Sequence, residues 1–86
     1  MTIIDVRTPL EFVNGNIEGS INIPLNEIYN QIIKIKSMPP PIILCCASGI
    51  RSEQATAILT TNGVDCKNGG SWIDVRLQMN SNLNFI

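Results

Sequence analysis

The 86-residue chain contains no histidine, one tryptophan, one tyrosine and two phenylalanines. Its three cysteines show no C-x-x-C spacing. Without histidine or paired cysteines there is no ligand set of the kind that structural zinc sites use, and no metal is expected. Three is also an odd number in a chain with no secretory signal, so a disulfide framework is not expected. Charged residues make up only 15%, the net charge is −1 and the pI is near 5.1. There is therefore no basic footprint, which argues against nucleic acid as a partner. No apolar stretch approaches the length that crosses a bilayer, so no membrane partner is expected. Met1–Asp5 is no signal peptide, because Asp5 arrives before an apolar core could form. The expected compartment is the cytoplasm, or the periplasm if a leader has been removed.

With 44% hydrophobic residues the composition is that of a folded globular protein. Its length allows one domain, expected over residues 1–86, with a modest core. The segment Ile42-Ile43-Leu44-Cys45-Cys46-Ala47-Ser48-Gly49-Ile50-Arg51-Ser52 carries the most information. A short apolar run with no polar alternation reads as a strand buried on both faces, as in parallel sheets. It stops at Cys46, and a loop of small residues and then a helix follow. Ligands of open α/β sheets sit beyond the carboxyl ends of such strands. There the backbone N–H groups and the helix N-terminus stabilise a thiolate or an anion attached to it. Cys46 is the candidate nucleophile.

Thr2–Val6 reads as a strand, and Thr8-Pro9 starts a short helix that ends near Asn14-Gly15. Ser20–Ile23 is a second strand, cut off by Pro24. Asn26 is placed to cap a helix whose apolar positions are Ile28, Tyr29, Ile32, Ile33 and Ile35. Pro39–Pro41 form a stiff connector into the central strand. The helix from Ser52 to Asn62 puts Ala55, Ile58 and Leu59 on one face. Val64–Lys67 is the last strand, Asn68-Gly69-Gly70 a turn, and Trp72–Met79 a final helix. A frayed polar tail is expected over 80–86. Alternating strands and helices mean α/β with a mostly parallel sheet.

The chain resembles the rhodanese-like sulfurtransferases. The likeness lies in Cys46–Ser52, similar to the family's active-site loop C-R-S-G-x-R-S. It extends to Ile4-Asp5-Val6-Arg7, Glu11-Phe12 and Gly15–Pro24, and more loosely to Asn68-Gly69-Gly70. Small single-domain members such as the phage-shock type are closest in length. The chain departs from the family in three ways. It starts almost at the D-V-R strand, where members usually carry another strand and helix first. Asn16 stands where the family has histidine, and Ala47 where many members have arginine.

The resemblance implies a three-layer α/β sandwich of rhodanese type, with about four to five mostly parallel strands and helices on both faces. It implies sulfur transfer through a Cys46 persulfide and no cofactor. The partners would be a small sulfur donor, thiosulfate or a persulfide, and a thiol or cyanide acceptor, with a protein sulfur acceptor also open. The loop Ala47, Ser48, Gly49, Ile50 and Arg51 would hold the anion. Asp5 and Arg7 are the supporting residues. Either they brace the loop from behind, or Arg7 pairs with Glu11 and holds the first helix. The pairing is preferred for Arg7, and Asp5 is open between the two.

Two alternatives remain. The domain could be a sulfur carrier or signalling module acting on a protein partner with little turnover of its own. Counted from Cys45, Arg51 also fits C-x5-R, the spacing of cysteine-dependent phosphatases. Those enzymes carry a histidine where this chain has Leu44, and they need a general acid that the sequence does not reveal.

Overall fold

The computed structural model describes residues 1–81. Four parallel strands form one sheet in the order β2-β1-β3-β4. They are β1 (Thr2–Asp5), β2 (Ile21–Asn22), β3 (Ile42–Cys46) and β4 (Cys66–Ser71). Among the described residues the α-helices are α1 (Pro9–Val13), α2 (Ile32–Lys36), α3 (Ile50–Thr61) and α4 (Trp72–Asn80).

All five residues of β3 are buried, and the pleat sends them alternately to two cores. Ile42, Leu44 and Cys46 join Ile4, Val6, Ile28, Ile35, Ala55 and Leu59 on one side. Ile43 and Cys45 join Ile3, Ile17 and Val75 on the other, with Trp72 and Met79 packed against them. Parallel strands with both faces covered explain why the run showed no polar alternation. The fold is α/β with helices on both faces, as expected.

Several boundaries differ. Thr8 caps α1 as expected, and Glu11 closes a reciprocal capping box with it. The expected helix from Asn26 is instead two 3-10 turns, Leu25–Glu27 and Tyr29–Gln31, followed by the five residues of α2, and no side chain caps them. Asn26 and Asn30, which lie in those turns, are weak helix formers. Of its apolar side chains Ile28 and Ile35 are fully buried, while Tyr29 and Ile33 are 68% and 85% exposed. The apparent stripe is thus not one face.

Helix α3 begins at Ile50 rather than Ser52, with Gly49 at its N-cap in the left-handed region (φ 99°). Ala55 and Leu59 on α3 are buried, and Ile58 packs partly buried against the same core.

The largest correction concerns Asn68-Gly69-Gly70, which forms part of β4 rather than a turn. Leu44 pairs with Asn68 and Cys45 with Gly70, so Gly69 is the extra residue of a bulge. A Cβ on Gly69 would lie 2.7 Å from Val75 Cγ2 and 2.8 Å from Ile43 Cγ2. Glycine is what lets β4 pass this close. Asn80 ends α4 instead of beginning a frayed tail, and residues 82–86 of that expected tail lie outside the described residues.

Candidate active site

Cys46 closes β3 at its carboxyl end, where Ala47, Ser48 and Gly49 turn the chain into α3. Gly49 takes a positive φ at that corner, and its Cα side meets Gly70 Cα, 3.3 Å from where a Cβ would stand. A residue with a side chain would be strained there and crowded by β4. The turn aims Gly49 N–H at Cys46 Sγ, at 3.0 Å. One helical turn later the buried Ser52 brings its hydroxyl to 3.4 Å from the same sulfur.

Burial opposes ionisation of Cys46. The Ser52 hydroxyl and the backbone N–H groups of Ser52, Gly49 and Ser48 outweigh it, and the thiol lies below its ordinary pKa. Cys45, one residue earlier, points into the opposite core. Burial pushes its thiol up to about 12, with Asp5 adding to the rise and Arg7 subtracting from it. The C-x5-R alternative counted from Cys45 is therefore contradicted: that side chain lies across the sheet from the loop and stays protonated.

The loop residues expected at the site are brought together, but Arg51 is turned elsewhere. Its guanidinium donates to both Glu11 oxygens, at 2.7 and 3.0 Å, tying α3 to α1. Arg51 accordingly lowers the Glu11 carboxyl, with the Thr8 N–H next in effect, to about 2.

The preferred pairing of Arg7 with Glu11 is corrected as well. Arg7 Nε and Nη2 grip the Asp5 carboxylate at 2.7–3.0 Å, and Nη2 also donates to Gly15 O at 2.7 Å. Arg7 touches Glu11 only through a backbone carbonyl, at 3.4 Å. Both members of the Asp5–Arg7 pair are buried, and Asp5 lies beside Cys45 on the neighbouring strand. The guanidinium also stacks on Trp72, 4.7 Å from the ring centre. Asp5 and Arg7 thus fasten β1 to the chain that follows it.

Two residues at the site have no role assigned to them by the sequence. Ser52 is there the last residue of the loop motif and the helix start. Asn68 had been placed in a turn, yet its side chain reaches Ser52 and Gly49 at 2.7 and 3.1 Å.

A model of the family described as Rhodanese-like domain matches residues 1–70. The chain belongs to the rhodanese-like family. The rhodanese-like chain is 32% identical over 76 residues to the thiosulfate sulfurtransferase PspE of Escherichia coli, covering 86% of itself and 73% of that protein. It is 39% identical over 61 residues to the uncharacterized protein YqhL of Bacillus subtilis, covering 71% of itself. The chain spans about half the length of that relative, 48%. Among solved structures, a rhodanese with anions from E. coli superimposes with a TM-score of 0.76 at 32% identity, over 85% of this chain and 88% of that one. Among the described residues, no helix of this rhodanese-like domain is long and apolar enough to cross a membrane.

Proposed function

We propose that the chain, acting as one domain over residues 1–86, transfers sulfane sulfur through a persulfide on Cys46. The observation that carries this reading is the contrast between adjacent thiols. Cys46 is lowered by converging donors, while Cys45 is raised to about 12.

In the first half-reaction the Cys46 thiolate attacks the outer sulfur of thiosulfate. A Cys46–sulfur bond forms, the sulfur–sulfur bond of the donor breaks, and sulfite leaves with the electron pair. A thiol persulfide can replace thiosulfate, leaving as a thiolate. In the second half-reaction cyanide or a thiolate attacks the terminal sulfur and Cys46 returns as thiolate. The covalent intermediate needs no cofactor, and no general base is required once the thiol is ionised. The donors at Gly49 and Ser52 face the sulfur that carries the negative charge once the thiol has ionised.

Thiosulfate treatment followed by mass spectrometry tests the reading. One added sulfur is expected on Cys46, retained in Cys45→Ser and lost in Cys46→Ser. Loading on Cys45, or none in the wild type, would overturn it.

A second reading, a carrier with little turnover of small anions, is favoured by one observation. The cation of the loop, Arg51, is neutralised by Glu11, and Ala47 adds no charge. Persulfide loading without steady-state thiosulfate:cyanide transfer would select the carrier, and fast turnover the enzyme.

A further inference from the structure

Asn68 sits on β4 with its side-chain amide between two groups that face the sulfur. Its Oδ1 accepts from the Ser52 hydroxyl at 2.7 Å and from Gly70 N–H at 2.9 Å. Its Nδ2 donates to Gly49 O at 3.1 Å. The amide orientation follows from its partners, since a backbone N–H only donates and a carbonyl only accepts.

Ser52 has one hydroxyl proton and two candidate acceptors, Asn68 Oδ1 at 2.7 Å and Cys46 Sγ at 3.4 Å. One proton cannot serve both. We propose that Asn68 is a positioning residue for Cys46, competing with the sulfur for the single proton of the Ser52 hydroxyl. This rests on the reading of Cys46 as the nucleophile.

In the resting thiol the shorter contact wins. The serine proton lies toward Asn68, and the S–H can donate in turn to the serine oxygen. When the sulfur becomes a thiolate, the thiol proton has left to solvent. The hydroxyl then rotates about Cβ–Oγ, keeps its own proton and directs it to sulfur. Asn68 retains Gly70 N–H and loses one hydrogen bond. The switch therefore favours the neutral thiol by the worth of that bond.

Removing the acceptor does not dislodge the donors. Ser52 is buried within α3, and Gly49 O also accepts Glu53 N–H at 3.0 Å. Asn68 itself is exposed, so substitution there leaves the core intact.

The charged groups near Cys46 are retained throughout. They are the Arg51–Glu11 pair from α3 and α1, and the Asp5–Arg7 pair at the end of β1. The neighbouring thiol on its own strand is Cys45, and β4 opposes Cys46 with the uncharged Ser71. Farther along, Lys67 on β4 and Asp74 and Arg76 on α4 are also unchanged.

The test is the pH dependence of iodoacetamide alkylation at Cys46, read on its own peptide by mass spectrometry. The midpoint reports ionisation even where burial slows the absolute rate. Asn68→Leu removes the acceptor. Its midpoint is expected to fall, with alkylation below the midpoint about threefold to tenfold faster, the worth of one neutral hydrogen bond. Ser52→Ala is expected to raise the midpoint, and the double variant to match Ser52→Ala alone. Asn68→Asp, a stronger acceptor, is expected to raise it. A merely structural role predicts the opposite for Asn68→Leu, since loosened donors would raise the midpoint.

An unchanged or raised midpoint in Asn68→Leu, or a shift that persists in the Ser52→Ala background, overturns the proposal. Should Asn68→Leu be unfolded by circular dichroism, an unchanged or lowered midpoint in Asn68→Asp does so. Thiosulfate loading of the wild type runs alongside. Failed loading with the alkylation pattern intact removes the sulfur-transfer reading and leaves Asn68's role in thiol ionisation standing.

Discussion

Replacing Arg51 with alanine separates two roles open to a loop arginine, stabilising an anion and tethering a helix. In the structure the tether is occupied: Arg51 donates to both Glu11 oxygens, and the Glu11 carboxyl falls from 4.5 to about 2. A folded-state pKa below the unfolded one contributes stability that is present above pH 4.5 and is lost as the pH falls toward 2. Converted at about 1.4 kcal/mol per pH unit, the drop sets an upper figure of about 3 kcal/mol. The two side chains are 33% and 37% exposed, so solvent screens them. Exposed pairs contribute about 0.2–1 kcal/mol, and the bidentate geometry places this one near the top of that range. Arg51→Ala is thus expected to lower Tm by about 4–8 °C at pH 7, the effect of about 1 kcal/mol in a domain this small. The difference from wild type should shrink as the pH is lowered from 4.5 toward 2, and the Glu11 carboxyl, followed by NMR, should titrate closer to its ordinary range. The Cys46 alkylation midpoint should barely move, because its hydrogen bonds come from Gly49 and Ser52. A rise of about one pH unit or more, ~1.4 kcal/mol, would falsify this division of labour. It would mean that Arg51 leaves Glu11 for the sulfur.

Three further outcomes are expected. Gly69→Ala forces a Cβ to 2.7–2.8 Å from the methyls of Val75 and Ile43 and 3.2 Å from Leu44 O. Overpacking of about 1–3 kcal/mol should lower Tm by at least about 5 °C in thermal unfolding, and an unchanged Tm would show that β4 can shift outward. Asp5→Asn leaves the buried Arg7 without its counter-ion. A loss of about 3–5 kcal/mol is expected in urea unfolding, and a loss near that of an exposed pair would mean that the buried guanidinium finds other compensation. Alkylation of the native protein between pH 7 and 9 should mark Cys46 and spare Cys45, whose thiol lies at about 12. Equal labelling of the two would overturn the assignment of Cys45 to the far core.

The parts of this fold visible in the sequence are those that local physics decides. The unbroken Ile42–Cys46 run reads as a doubly covered strand, and Thr8-Pro9 marks the start of α1. Cys46 was legible for the same reason, since a strand end, small residues and a helix start are consecutive. What escaped is long-range. Glu11 and Arg51 are forty residues apart; once Arg51 holds the Glu11 carboxylate, Arg7 is left to the nearby Asp5. Asn68-Gly69-Gly70 reads locally as a turn, because a glycine at 69 makes sense in a strand only once Ile43 and Val75 are known to crowd it. The segment from Asn26 misled in the other direction. Its isoleucines have helical spacing, but which of them find a core depends on the sheet beneath.

Neighbouring residues on a strand occupy opposite sides of a sheet, and here that ordinary fact isolates two thiols one peptide bond apart. An oxidant that attacks thiolates meets Cys46 and not Cys45. A sulfenic acid formed on Cys46 has no resolving partner in its neighbour, because Cys45 Sγ lies with Ile3, Ile43 and Val75 across the backbone. Cys66, the remaining thiol, lies at the start of β4, level with Ile42 at the other end of the sheet. Among the described residues the site therefore has no thiol placed to turn a sulfenic acid into a protective disulfide. Its recovery after oxidation falls to thiols in the surroundings, the same class of molecule that would discharge its sulfur.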